Sequence, residues 1–255
     1  MLTSVNSRNQ KIVAQTASKS DKPFYCPECN SETILHQGLV KTHHFAHKSF
    51  ITCQYGQGES DKHRECKQTI YELLLQNKDL VVNCEMEKSL GKVRPDIYFE
   101  KHGEKIAIEV QVSNLTMEKI IYRTEQYNRL GVNVLWLPVA GDSFVDAWYG
   151  LCKFIPKQWE KWLHATYYGR VYYWAGDLDV FPFHFEDIIL HKDGWDYGGI
   201  PGYEYRSKKY RRLRRGKPVN ILQDFDSVSR DAWKGGQILV PACKLLIDRQ
   251  EKWWK

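Results

Sequence analysis

The residues with the clearest chemical content are Asp96, Glu109 and Gln111, set in VRPDIYFEKHGEKIAIEVQV, residues 93–112. Residues 96–100 and 105–112 read as two strands, the second rich in β-branched side chains. His102-Gly103 sits in the tight polar turn between them. Side chains alternate along a strand, so Glu109 and Gln111 share one face, while Ile108, Val110 and Val112 point the other way, into a core. Asp96 follows Pro95 at the start of the neighbouring strand. Pairing the two strands brings Asp96 and Glu109 to one small volume. Two carboxylates aimed at one point repel, at a cost in stability, unless a cation sits between them. Ligands that are all oxygen suit Mg²⁺ or Mn²⁺.

Two further constellations lie upstream. Residues 59–76, ESDKHRECKQTIYELLLQ, read as a helix with an apolar stripe of Cys66, Ile70, Leu73 and Leu74. Glu59, His63 and Lys67 are spaced i, i+4, i+8 on a second face. An acid, an imidazole and an amine in one row suit a phosphodiester site: Glu59 as a third carboxylate, His63 and Lys67 toward phosphate. Earlier still, Cys26-Pro-Glu-Cys29 is a two-thiol knuckle, followed by His43, His44, His47 and Cys53. That spacing points to a structural Zn²⁺ site with four protein ligands. His43 and His47 fit one pairing, and His44 and His47 another, with Cys53 as an alternate last ligand.

The elements that must position these residues follow in order. Residues 80–86 read as a strand ahead of the hairpin. Asn114 caps a helix over residues 115–130 that ends at Gly131, with an inner stripe of Met117, Ile120, Ile121, Thr124 and Tyr127. Arg123 and Tyr127 are neighbours on that helix. Residues 132–139, VNVLWLPV, form an apolar run suited to a buried central strand. The core order is therefore helix, three strands, helix, strand. Past Gly141, residues 144–164 read as helix, 167–174 as strand, 193–202 as a polar glycine-rich loop, and 238–255 as a helix after Pro241. Residues 1–22 are polar and read as a mobile leader with a short strand near residues 11–14.

Composition narrows the setting. The net charge of +6 is unevenly placed, with RSKKYRRLRRGK at residues 206–217. Lys208, Lys209, Arg211, Arg212, Arg214 and Arg215 are the candidate nucleic-acid-binding residues. Nine Trp and 15 Tyr include candidate stacking platforms for bases. Seven cysteines, an odd number, favour metal over disulfides in a reducing compartment. The chain has no long apolar run and no secretory h-region, so a cytoplasmic protein without a membrane segment is expected.

Together the order and the residues resemble the PD-(D/E)XK nuclease superfamily, whose core is αβββαβ. RPD supplies Asp96, EVQ supplies Glu109 and Gln111, and Glu59 matches the acid of the first helix. CPEC, HFAH, a following Cys, and Ser60-x-x-His63-x-x-x-Lys67 narrow the resemblance to the CoiA family of bacterial competence proteins, over residues 24–139. The implied fold is α/β: a zinc-ribbon-like module at residues 23–56, a restriction-endonuclease-like αβββαβ core at 57–140, and a mixed, aromatic-rich and basic region at 141–255. The implied activity is Mg²⁺- or Mn²⁺-dependent hydrolysis of DNA phosphodiesters in uptake or recombination. DNA, single- or double-stranded, is the implied partner, with recombination proteins beside it. The resemblance favours Cys26, Cys29, His44 and His47 as zinc ligands. One departure stands out: Gln111 occupies the superfamily's lysine position. Glutamine can donate a hydrogen bond to water or phosphate, but it carries no charge and is no base. A catalytically silent DNA-binding accessory module is the alternative reading.

Overall fold

In the computed structural model of the chain, which describes residues 1–49, 52–53, 55–56, 58–112, 115–193 and 202–254, the N-terminal residues already form a sheet. β1 (Thr3–Asn6), β2 (Lys11–Val13), β3 (Phe24–Tyr25), β4 (Glu32–His36) and β5 (His44–His47) pair antiparallel in the order β2-β1-β3-β4-β5. Its small core holds Met1, Ala14, Phe24, Leu35 and Phe45, with the two phenylalanine rings edge-to-face at 5.0 Å. Residues 1–22 are therefore not the mobile leader expected from their polarity. Met1 to Ser4 are all buried, and Thr3 and Ser4 satisfy their hydroxyls within the protein. A short strand with two polar but bonded residues carries no hydrophobic periodicity to read.

α1 (Asp61–Gln76) follows, capped by Ser60, whose hydroxyl accepts the His63 amide at 3.1 Å. Glu59 thus precedes the helix instead of opening it. β6 (Val82–Met86), β7 (Ile97–Lys101) and β8 (Glu104–Gln111) form an antiparallel meander. α2 (Met117–Arg129) then crosses over to β9 (Val132–Pro138), which lies parallel to β8. The expected cap, Asn114, lies outside the described residues; Thr116 caps α2, accepting the Lys119 amide. Buried Ile120, Thr124 and Tyr127 lie on the predicted inner stripe. Trp136 of β9 donates its indole N–H to Thr124 at 3.0 Å, tying helix to sheet.

Beyond β9 the expected long helix is two short ones, α3 (Asp142–Trp148) and α4 (Gln158–Thr166). Gly150, at a positive φ of 79°, and Pro156 interrupt the run between them. β10 (Val171–Trp174), β11 (Asp179–Lys192), β12 (Tyr203–Arg215) and β13 (Val219–Asn220) form a second sheet. The predicted loop at 193–202 falls almost wholly outside the described residues. β14 (Phe225–Arg230), the small hairpin of β15 (Trp233–Gly235) and β16 (Ile238–Val240), and β17 (Cys243–Asp248) complete the chain. The tail is thus strand, not helix. β17 lies parallel to β9 and antiparallel to β14, giving a six-stranded sheet ordered β14-β17-β9-β8-β7-β6. Leu245, Leu246 and Ile247 are buried in succession, on both faces, and such an unbroken apolar run does not alternate as a half-exposed strand does. A single apolar cluster runs from Cys66 in α1 to Ile247 in β17, so residues 57–140 and 141–255 share one core.

The two sheets are joined by a buried ion pair. Arg170, before β10, donates to both Asp248 oxygens at 2.8 Å, and the Tyr172 hydroxyl also donates to Asp248. A buried pair broken on one side leaves an uncompensated charge and costs about 3–5 kcal/mol. Asp248→Ala should lose that much in urea denaturation; a loss below about 1 kcal/mol would show that the pair does not couple the two sheets.

Candidate active site and metal centre

Strand register builds the site. Ile97 faces Ile108 across the β7–β8 pair, so the next position outward sets Asp96 against Glu109. Met86 faces Ile97 across the β6–β7 pair, and the Glu87 amide continues that ladder by donating to the Asp96 carbonyl at 2.9 Å. Glu87, Asp96 and Glu109 thus form a row across the ends of three adjacent strands. The sequence placed Asp96 and Glu109 together but gave no sign of Glu87. It sits at a positive φ of 52° just past β6, outside any motif, and nothing in CEMEK separates it from Glu85.

Lys67 of α1 stands over this row, with only 1% of its side-chain surface exposed. Its Nζ lies 2.7 Å from Glu59 Oε1, 2.6 Å from Glu87 Oε1 and 3.2 Å from Asp96 Oδ1. Burial alone would strip its proton, but Glu87, Asp96 and Glu59 raise its pKa well above the ordinary value. Reciprocally, Lys67 and then His63 hold Asp96 far below the usual carboxylate range despite its burial. His63 Nε2 is 3.3 Å from Asp96 Oδ2, and the Val110 amide donates to the same oxygen at 2.8 Å. The expected row of Glu59, His63 and Lys67 therefore converges on Asp96. Glu59 does so from behind Lys67, where its other oxygen meets the Met1 amine at 2.9 Å.

Glu109 is held differently. Arg123 and the Tyr127 hydroxyl, both from α2, donate to its Oε1. Burial outweighs Arg123 and, with Asp96 nearby, lifts the Glu109 carboxyl from 4.5 to about 7. Gln111 lies two residues on, partly exposed, at the end of β8 where its carbonyl accepts the Val139 amide at 2.9 Å. Lys105, the lysine of the same strand, is exposed at the far end of β8, opposite Val132.

A cleft of about 590 Å³ opens onto Glu59, Lys67, Glu87, Asp96 and Arg123. Its other wall is the N-terminal module, through Glu28, Cys29 and Cys53. There the ligand atoms of Cys26, Cys29, His47 and Cys53 all lie within 4.8 Å of one another. This Cys₃His cluster can hold zinc, and its tetrahedral complement of thiolates and imidazole leaves no open position. Hydrogen bonds from Ser31 outweigh slight burial and bring the Cys29 thiol down to about 6. His44 is not part of the cluster, and Cys53 takes the place given to it. The reason is the strand: His44 and His47 are three residues apart on β5, so they point to opposite faces. His44 stacks on His36 instead, ring centroids 5.1 Å apart.

Residues 6–56 match the family model described as competence protein CoiA, N-terminal domain, and residues 59–144 match its nuclease-like domain. The two matches together cover more than half of the chain. The chain belongs to the CoiA-like competence protein family. The boundary between the two matched segments falls between the Cys₃His cluster and α1. No curated protein and no solved structure matches the chain significantly. No helix among the described residues is long and apolar enough to cross a membrane.

Two measurements check these assignments. Purified protein should carry about one zinc per chain; Cys53→Ser should lose it together with fold stability, while His44→Ala should keep it. Retention by Cys53→Ser and loss by His44→Ala would reverse the ligand set. Glu109 gives a pH signature. With its native pKa raised from 4.5 to about 7, the native state binds more protons than the unfolded state between those values. Stability contributed at this position therefore falls as pH rises through that window. Without added divalent ions, Glu109→Gln should gain on wild type by about 3 kcal/mol from pH 4.5 to 7, read by urea melts. A pH-independent difference would place Glu109 outside the buried pair.

Proposed function

We propose that this CoiA-family protein is a PD-(D/E)XK-type nuclease that hydrolyses DNA phosphodiester bonds with Mg²⁺ or Mn²⁺, acting in the cytoplasm during uptake or recombination. The observation that carries the reading is the carboxylate row at the strand ends, with Asp96 directly opposite Glu109 and Lys67 above it. The element order from α1 to β9 is the αβββαβ order of that superfamily. The donor set fits a hard cation: two opposed, buried carboxylates, one of them lifted by burial to a pKa of about 7 in spite of Arg123 beside it. Asp96 and Glu109 would hold the ion, which supplies a more acidic bound water and charge neutralisation at the phosphate.

The chain's own residues do the rest. Arg123 and Tyr127 fix the Glu109 carboxylate through one oxygen. Lys67 provides the permanent positive charge that Gln111 lacks, reaching the row from α1 instead of from β8. Gln111 orients water or phosphate by a hydrogen bond. His63, beside Asp96 and partly exposed, passes a proton at Nε2 between Asp96's surroundings and solvent. Glu59 and Glu87 hold Lys67 in place and are not ligands in this reading. The zinc centre shapes the far wall of the cleft.

A second reading, a silent DNA-binding accessory to recombination, draws support from the same Lys67, whose ammonium already neutralises Asp96. Labelled single- and double-stranded DNA with Mg²⁺ or Mn²⁺ separates the two. Wild type should give metal-dependent product, and Asp96→Ala or Glu109→Ala should cut the rate at least about 100-fold while DNA affinity stays within about threefold. Binding without product in wild type at every metal concentration would favour the silent module. Undiminished cleavage by both Asp96→Ala and Glu109→Ala would remove these residues from the mechanism.

A further inference from the structure

β11 and β12 are far longer than the sheet that anchors them, 14 and 13 residues against the four of β10. β10 pairs only with residues 180–183 of β11. Phe154 bridges to Arg211, and beyond that point β11 and β12 pair only with each other among the described residues. The result is a two-stranded arm. A pronounced bulge divides it: four residues, 207–210 of β12, face the single Ile188 of β11. The bulge is pinned from within. Ser207 Oγ accepts the amides of Lys209 and Tyr210, and Asp187 reaches Arg206 at 3.2 Å on one side and Arg211 at 3.4 Å on the other.

This construction redistributes the basic run. Arg212 and Arg214 meet Glu186 at 3.9 and 3.0 Å, Arg211 meets Asp187, and Arg215 lies against the rings of Trp148 and Phe181. Lys208 and Lys209, thrown outward by the bulge, are exposed and have no ion-pair partner among the described residues. Past the bulge, Leu190 faces Tyr205 and Lys192 faces Tyr203, so these four share one side of the ribbon. Tyr203 is 51% exposed and Tyr205 44%, with ring centroids 6.0 Å apart and Lys192 over Tyr203. Two solvent-facing rings on a thin ribbon gain nothing from a core. They suit unpaired bases, whose π-faces are free, whereas duplex bases offer only their edges in the grooves.

We propose that the distal half of this arm is a single-stranded nucleic-acid grip, in which Tyr203 and Tyr205 stack successive bases and Lys192, Lys208 and Lys209 follow the phosphates. It rests on the nucleic-acid reading above and moves the contact away from Arg211, Arg212 and Arg214, each of which already has a carboxylate neighbour. The test uses full-length protein without Mg²⁺ or Mn²⁺, labelled oligothymidylate, and a duplex of the same length, by fluorescence anisotropy across a salt series. Tyr203→Ala/Tyr205→Ala should weaken single-strand binding about tenfold or more and duplex binding by less than about twofold. Tyr203→Phe/Tyr205→Phe, which keeps the rings, should bind as wild type. Lys208→Ala/Lys209→Ala should flatten the single-strand salt slope by about 1.4, the loss of two phosphate contacts. Single-strand binding unchanged by the alanine pair, or equal losses on both DNAs, would overturn the grip while leaving the nuclease reading intact. Wild type that binds neither DNA would overturn both.

Discussion

The whole site depends on one buried ammonium. Lys67 carries its charge into a place where an unpaired charge is prohibitively costly, and it is stable there because three carboxylates converge on it. The dependence is mutual. Without Lys67, Glu59, Glu87 and Asp96 would repel across a shared pocket and would take up protons to relieve it. Helix α1 is thereby fixed over the strand ends, and the row of acids is held ionised at neutral pH except for Glu109. Glu109 is paired with Arg123 instead, and burial, which outweighs that pairing, gives it its different protonation behaviour.

Glu87 extends this control into the N-terminal sheet. Besides Lys67, it accepts the amides of Leu2 and Thr3, the Thr3 hydroxyl and the Tyr55 hydroxyl. One buried carboxylate thus docks β1 against the α/β core. Arg94 strengthens the same junction, donating to Glu28 in the metal knuckle at 2.6 Å and lying over the Tyr55 ring. Because Glu28, Cys29 and Cys53 also line the cleft, zinc in the Cys₃His cluster would set the shape of the space above Asp96. The module and the core act as two walls of one site.

Much of the site was legible in the sequence, for physical reasons. Alternation on β8 and the position of Asp96 after Pro95 are strictly local, so the opposed pair could be read from period two alone. Helical spacing brought His63 and Lys67 to one face. Glu87 was hidden because its partners, Lys67 on α1 and Leu2 and Thr3 on or before β1, lie far outside any local pattern around it. The presence of Cys53 instead of His44 in the cysteine–histidine cluster turned on whether HFAH is strand, which composition does not decide. The tail strand β17 was masked because burial on both faces erases the alternation that marks an amphipathic strand. The basic run was visible as charge, but the pairing of four of its arginines with Glu186 and Asp187 depends on a register that only the paired arm reveals.

The proposed nuclease centre requires that the Asp96–Glu109 pair admit a divalent cation although Lys67 already stands beside it. Mn²⁺ titration of zinc-loaded protein, followed by electron paramagnetic resonance, decides whether it does. One saturable Mn²⁺ site is expected, disappearing in Asp96→Asn and in Glu109→Gln while zinc content is unchanged. If wild type takes up no more Mn²⁺ than Asp96→Asn and Glu109→Gln do, the Lys67 ammonium is the only cation the carboxylates accept, and the site is not a metal-dependent nuclease centre.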